Sequence, residues 1–248
     1  MIRVYVGWDP RDELAYRACI ASLHAHASVP VDVIGLRDHL LRKAGLYWRP
    51  YHVEEGGQMV DGRDGRPFST QFAFTRFAIP LIDRSDDWVV FCDSDMLWRA
   101  DIADLIALAE DDKTVMCVQH DYQPAETVKM DGVSQAVYAR KNWSSLMLLR
   151  PARCKRLTPY VVNNSGGRWL HAFSWVLDED LGALPERWNW LEGWSSPDVD
   201  PAIVHHTRGT PDMIGDAIPY ADEWWSAVKA WRPEMEVTWD RATSISAS

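Results

Sequence analysis

The sequence predicts an α/β fold with a Rossmann-like, mostly parallel central sheet flanked by helices. Three observations carry this. A β-branched apolar run at Ile2 to Val6 is followed by a helical pattern and a second apolar run at Val31 to Leu36, the spacing of a βαβ unit. Trp88-Val89-Val90-Phe91-Cys92, framed by Asp87 and Asp93, is uninterrupted apolar sequence, as a central strand buried on both faces requires. Strand and helix patterns interleave up to residue 120, whereas the later part is less regular and rich in tryptophan.

Taken in order, the first strand ends at Gly7-Trp8-Asp9-Pro10, a loop signature. Leu14, Ala18, Ala21 and Leu23 give a helical stripe over Glu13 to Ala27, stopped by Pro30 before the strand at Val31 to Leu36. Asp38 to Ala44 reads as one or two helical turns. Gly56-Gly57, Gly62 and Gly65-Arg66-Pro67 mark a long flexible loop, which serves either as a lid or as a plain surface excursion. Ser69 is expected to cap a helix running to about Ile79, with Phe72, Ala73, Arg76 and Phe77 in phase. After the central strand, Asp101 to Ala109 reads as a helix whose early acids suit its dipole. Thr114 to Val118, Leu146 to Leu149 and Ala202 to Val204 read as strands, Asp222 to Trp231 as a closing helix, and Thr243 to Ser248 as a frayed end.

At 248 residues, of which 47% are hydrophobic and 25% charged, the chain has enough apolar surface for a real core, which excludes wholesale disorder. Its formal net charge of −10 argues against nucleic acid as the partner, which would demand a basic face. Fourteen tryptophans raise carbohydrate as a ligand, since indole faces stack on sugar rings, but bulky core is the plain alternative. Cys19, Cys92, Cys117 and Cys154 form no CxxC pair and no secretion signal precedes them, so they read as reduced thiols of a cytoplasmic protein. No apolar run approaches the ~18 residues of a membrane span; peripheral membrane association stays open.

The chemistry concentrates at Asp93-Ser94-Asp95, directly after the buried strand. In open α/β sheets ligands bind beyond the carboxyl ends of strands. Two carboxylates so close repel unless a cation shares the site, and hard oxygen ligands suit Mg²⁺ or Mn²⁺. Two solvated acids in a turn are the bland alternative. His205-His206-Thr207 follows the strand Ala202-Ile203-Val204. If that strand lies parallel in the same sheet, His205 joins the carboxylates at the carboxyl edge and tilts the preference towards Mn²⁺. Arg76 sits beside an apolar helical face and is placed either to grip a carboxylate or phosphate with its planar fork or to make a surface ion pair.

Together these segments resemble glycosyltransferases of the GT-A fold, most closely the glycosyltransferase family 8 group and its bacterial relatives. The resemblance runs from the first strand to about Pro211 as a single domain over 1–248. It rests on Val4-Tyr5-Val6-Gly7-Trp8-Asp9, Thr75-Arg76-Phe77, the DxD strand Val89 to Leu97, Asn142-Trp143-Ser144-Ser145-Leu146-Met147-Leu148, Leu184-Pro185-Glu186-Arg187-Trp188-Asn189 and Ile203-Val204-His205-His206-Thr207. Three departures stand out: Ser145 replaces the family's glycine, its Asp-Gln pair near the donor sugar has only His171 or Asp178-Glu179-Asp180 as replacement, and Arg208 stands in for the cation after the metal histidine.

The resemblance implies transfer of a sugar from a nucleotide-sugar donor, UDP-linked in most of the family, to a saccharide, glycolipid or other hydroxyl acceptor, with retention of anomeric configuration. It implies a nucleotide-binding half at 1–120 and an acceptor-binding half at 121–248. Mn²⁺ or Mg²⁺ would be held by Asp93, Asp95 and His205. Tyr5, Trp8, Asp9, Arg76, Ser94 and Arg208 would bind the nucleotide, and Asn142, Ser144, Ser145 and His171 the donor sugar. Trp188, Trp190 and Trp194 would line an acceptor groove, with core packing as the competing role, and Lys129 and Lys141 are further cations able to face phosphates. No nucleophile is named. A Mg²⁺ phosphatase of the haloacid dehalogenase type also places Asp-x-Asp after a buried strand but leaves His205 idle. A non-catalytic sugar-binding module would suit the tryptophans but more often be all-β.

Overall fold

The computed structural model describes residues 1–121 and 140–239. In chain order the elements are β1 (Ile2–Gly7), α1 (Glu13–His26), β2 (Val31–Leu36), α2 (Asp38–Lys43), β3 (Tyr51–Val53), β4 (Met59–Asp61), β5 (Pro67–Phe68), α3 (Phe72–Thr75), α4 (Ile79–Ile82), β6 (Val89–Cys92), β7 (Met96–Trp98), α5 (Ile102–Ile106) and β8 (Val115–Val118). Then come β9 (Leu146–Leu149), α6 (Pro159–Asn164), α7 (Gly167–His171), β10 (Leu181–Leu184), β11 (Trp190–Leu191), β12 (Ile203–His205), α8 (Pro211–Ile214) and α9 (Ala221–Ala230).

A six-stranded sheet in the order β10-β8-β9-β6-β1-β2 forms the centre. All its neighbours pair in parallel except β9, which runs antiparallel to both β6 and β8. The flat apolar runs follow from burial on both faces. Along β6, Val89 and Phe91 enter one core cluster while Val90 and Cys92 enter the other, and Met147 and Leu149 of β9 alternate with Leu146 and Leu148 in the same way. On one side α1 and α5 cover the sheet with Ile20, Leu23, Ile102 and Leu105; on the other lie Phe72, Phe77 and Leu170 from α3, the turn after it and α7.

Four expectations need correction. The helix expected from Ser69 to Ile79 begins after Gln71 without a side-chain cap and breaks into α3, a 3₁₀ turn at Arg76–Ala78, and α4. Pro80 explains the break, because its missing N–H cannot bond back to the Arg76 carbonyl. The supposed flexible loop carries β3, β4 and β5, a small antiparallel sheet with Met59, Val60 and Asp61 buried. It is bolted to α6 by Arg49, whose guanidinium meets Asp61 at 2.6 Å and donates to the carbonyls of Val162 and Ser165. The expected helix at Asp101 to Ala109 is shorter: Asp101 is its N-cap, accepting from Ala103 N at 3.0 Å, and it ends at Ile106. Finally, β12 is not in the main sheet: it runs antiparallel to β7 and parallel to β11 in a separate three-stranded sheet.

Candidate active site

This small sheet assembles the carboxylates and the histidine. The chain leaves β6 at Cys92, passes through Asp93-Ser94-Asp95 and enters β7, where Met96 pairs with His205 of β12. Pairing of Leu191 with His205 brings the preceding Asn189 alongside. The ligand atoms of Asp93, Asp95 and His205 lie within 4.8 Å of one another. His205 belongs to its strand rather than following it, and it reaches Asp95 through antiparallel pairing with β7, not through a parallel place in the main sheet.

The orientation of the His205 ring follows from its neighbours. Asn189 Nδ2 donates to the Asn142 carbonyl at 3.1 Å and to Ser145 Oγ at 2.9 Å, so Asn189 Oδ1 is the atom facing His205 Nδ1, at 2.9 Å. Nδ1 therefore carries the proton. Nε2 is left facing Asp95 Oδ1 at 3.3 Å. A proton on Nε2 would satisfy that pair alone, whereas a divalent ion would also use Asp93, and the three donors lie close enough together to share one.

Arg76 ties the carboxylates to the floor. It is 6% exposed, which excludes the surface ion pair. Nη2 meets Asp93 Oδ1 at 2.9 Å, Nη1 donates to the Ser144 carbonyl at 2.7 Å, and Nε donates to the Phe72 carbonyl at 3.2 Å. Its guanidinium also lies 4.8 Å from the centre of the Phe91 ring. Gly7 permits this packing: a Cβ there would lie 2.5 Å from the Phe72 ring, so only glycine lets α3 settle on the end of β1.

A cleft opens above these groups. It is lined by Asp93, Asp95, His205, Arg76, Asn142, Ser144, Ser145, His171 and Lys141, and on the opposite wall by Asp64, Arg66 and Phe68 of the small β3–β5 sheet. Asn142 is held with φ of 63° at the start of a 3₁₀ turn, and its buried Nδ2 has no hydrogen-bond partner among the described residues. Ser144 Oγ lies 2.9 Å from His171 Nδ1. Burial, then the guanidiniums of Arg76 and Arg49, hold His171 well below the usual imidazole range, so it is neutral.

Other expected residues sit elsewhere. Tyr5 faces the core and donates to Asp83 at 3.0 Å, so it cannot stack on a base. Asp9 is fully buried. Burial alone would raise its carboxyl, but hydrogen bonds from Arg11 and the Gln71 backbone hold it below the usual range. It shapes the loop after β1 instead of offering an oxygen to a ligand. Trp8 is half-buried, donates to Glu13 and lies under Arg37, outside the cleft lining. Ser94 is also outside it, its hydroxyl buried without a hydrogen-bond partner among the described residues. Arg208 is exposed beside Gly193 and does not line the cleft. Trp188 and Trp190 are buried in core clusters, Trp190 donating to Ser196, so neither lines a groove; Trp194 is 48% exposed. Lys129 lies outside the described residues, whereas Lys141 is buried at the cleft wall.

Two residues were missed. Asn189 sets the tautomer of His205, and its signal was the end of the Leu184 to Asn189 motif. His120, just beyond β8, is pushed down to about 4 by burial and then by the nearby His205; nothing in its local sequence announces this. Asp178 pairs with Arg140 outside the cleft lining and so gives no replacement for a donor-sugar acid.

No family model matches the chain. The chain is similar to a curated relative, "Protein CDI" of Arabidopsis thaliana, 41% identical over 249 residues, covering 97% of this chain and 91% of the relative. Among solved structures it resembles the bifunctional glycosyltransferase WbbM, with a TM-score of 0.53 and 15% identity over the whole chain. It also resembles the glycosyltransferase GlyE of Streptococcus pneumoniae TIGR4, with a TM-score of 0.58 and 13% identity over 99% of the chain. The chain spans 52% of the WbbM chain and 63% of the GlyE chain. The galactosyltransferase LgtC, solved with donor and acceptor sugar analogues, matches with a TM-score of 0.52 and 12% identity over 98% of this chain and all of its own. At these identities the likeness establishes the fold, a mostly parallel GT-A sheet.

Proposed function

Because the chain belongs to the family of the Arabidopsis Protein CDI and carries the GT-A fold, we propose that it is a metal-dependent glycosyltransferase. In this reading it moves a sugar from a UDP-linked donor to an acceptor hydroxyl, with retention of configuration. One observation supports it above the others: His205 Nε2 faces Asp95 Oδ1 at 3.3 Å with its other nitrogen committed to Asn189. That arrangement fits a divalent ion beside Asp93. The haloacid dehalogenase alternative would need Asp93 as a nucleophile, yet Asp93 Oδ1 is occupied by Arg76. The GT-A fold also favours the transferase over a binding module.

When bound, Mn²⁺ or Mg²⁺ supplies Lewis-acid stabilisation to a departing nucleoside diphosphate. The chain's own residues do the rest. Asp93, Asp95 and His205 hold the ion, and Arg76 keeps the Asp93 carboxylate in place. Lys141 adds positive charge where the diphosphate develops negative charge. Asn142 Nδ2 and the Ser144–His171 pair meet sugar hydroxyls, with neutral His171 offering a hydrogen bond without a competing charge. The fixed wall of β3–β5, rather than a mobile lid, limits water at the reacting centre. Four unpaired, buried thiols support a cytoplasmic setting, and no helix among the described residues is long and apolar enough to cross a membrane.

The test is a thermal-shift screen of nucleotide sugars with and without Mn²⁺, because a ligand that binds only the native state raises its melting temperature. A shift with UDP-sugars that needs Mn²⁺ is expected. Shifts that ignore the metal, or none with any nucleotide sugar, would reject the reading.

A further inference from the structure

The charge of the cleft exceeds what a neutral sugar nucleotide calls for. Among the described residues, Arg66, Arg76, Lys141 and Arg168 line it against Asp64, Asp93 and Asp95, one more cationic than anionic side chain. A divalent cation and a diphosphate with one charge per phosphate cancel each other, so the excess survives when both are bound. Arg76 is committed to Asp93, Ser144 and Phe72. The surplus therefore resides at the other end of the cleft, with Arg66 and Arg168.

That end is built from two walls. Asp64 closes it by accepting from the Gly167 backbone at 2.8 Å and the Arg66 backbone at 3.1 Å, which joins the β4–β5 turn to the start of α7. Both bonds come from backbone N–H groups, so neither guanidinium is used. Neither Arg66 nor Arg168 makes a side-chain hydrogen bond, ion pair or ring contact among the described residues. Arg168 lies three residues before His171 on α7, on the same face. His171 in turn touches Ser144, the group nearest the proposed sugar.

The contacts order the cleft from one end to the other. His205 and Asp95 lie at the metal end, followed by Asp93, Arg76, Ser144 and His171. Beyond them come Phe74, whose ring centre is 5.8 Å from that of His171, and Gly167, where a Cβ would meet the Phe74 ring at 3.1 Å. Arg168, next to Gly167, and Arg66, two residues after Asp64, belong to this end of the cleft rather than to the end with Asp95 and His205. Planar forks at that place match a carboxylate better than a hydroxyl.

We propose that Arg66 and Arg168 form a subsite for a carboxylate on the transferred sugar, so that the donor is a nucleotide-linked uronic acid. This rests on the nucleotide-sugar reading above and adds the class of sugar to it. The experiment is calorimetric titration, with Mn²⁺ present, of UDP, UDP-glucose and UDP-glucuronic acid into the wild type and an Arg66→Gln/Arg168→Gln double variant. The wild type should bind UDP-glucuronic acid about tenfold or more tightly than UDP-glucose, a charge-assisted gain. The double variant should lose that preference while keeping its affinity for UDP and its melting temperature, since both side chains are exposed. Equal affinity of the wild type for the two sugars, or a preference that survives in the double variant, would overturn the subsite. So would free glucuronic acid binding to protein saturated with UDP-glucose, because the carboxylate would then belong to the acceptor. Absence of UDP binding would instead bring down the underlying nucleotide-sugar reading, and the subsite with it.

Discussion

Asn189 holds His205 by its amide oxygen, 2.9 Å from Nδ1, while its amide nitrogen is anchored on Asn142 and Ser145. The asparagine therefore dictates which imidazole nitrogen faces Asp95. Asn189→Ala should leave the three ligands in place but free the ring to turn and change tautomer. Metal affinity should fall about 10–100-fold, the usual cost of losing a partner that orients a ligand. Titration of Mn²⁺ by its paramagnetic resonance signal measures this, and unchanged affinity would remove Asn189 from the site.

Arg76→Lys should damage binding and stability together. A lysine keeps the charge but cannot reach Asp93, Ser144 and Phe72 at once. Breaking a buried pair typically costs about 3–5 kcal/mol, and retaining the charge should keep the loss at or below that range. A lowered melting temperature with weakened Mn²⁺-dependent UDP binding is expected. Full affinity in a variant that melts early would make Arg76 purely structural.

His205 and His206 should separate cleanly. Adjacent residues of an extended segment point to opposite sides, and His205 lines the cleft whereas His206 is fully buried with neither ring nitrogen hydrogen-bonded among the described residues. His205→Ala should abolish metal-dependent binding. His206→Ala should keep it but melt several degrees lower, because the removed ring leaves a cavity in the packed interior. The reverse pattern, read by the same titrations and melting curves, would mean that the wrong histidine has been placed at the metal.

His120 gives a pH prediction. Burial and then His205 lower it from 6.5 to about 4 in the folded state. The unfolded chain therefore binds more protons below about pH 6.5, and stability contributed by neutral His120 is complete above that value and lost as pH falls towards 4. His120→Gln should melt with a shallower decline between these limits. A decline as steep as that of the wild type would show that His120 is not the group being protonated.

The central strand and its Asp-Ser-Asp were legible because burial on both faces leaves an unbroken apolar run with an abrupt acidic end. The place of His205 beside Asp93 and Asp95 was legible from its motif, but its sheet was not: a three-residue strand carries no sign of whether its partner runs parallel or antiparallel. The same limit explains the aromatic errors. Tyr5 stands between Val4 and Val6 in a strand whose two faces are both buried, so alternation could not say which side faced a ligand. Trp188 and Trp190 looked like a sugar platform because bulk and aromaticity suit a groove and a core equally. The β3–β5 wall was hidden by its glycines, three of which, Gly56, Gly57 and Gly65, have positive φ in its tight turns and suggested looseness where Arg49 and Asp61 in fact pin the sheet.

The measurement that bears most directly on the central claim is calorimetric titration of UDP into the wild type and Asp95→Ala, each with Mn²⁺ and with a chelator. Binding by the wild type only when Mn²⁺ is present is expected, with a loss of about 100-fold or more in Asp95→Ala, because that variant loses both a ligand and the charge that balances the ion. Equal UDP affinity with the chelator, or full affinity in Asp95→Ala, would contradict a metal-bridged nucleotide site at Asp93, Asp95 and His205.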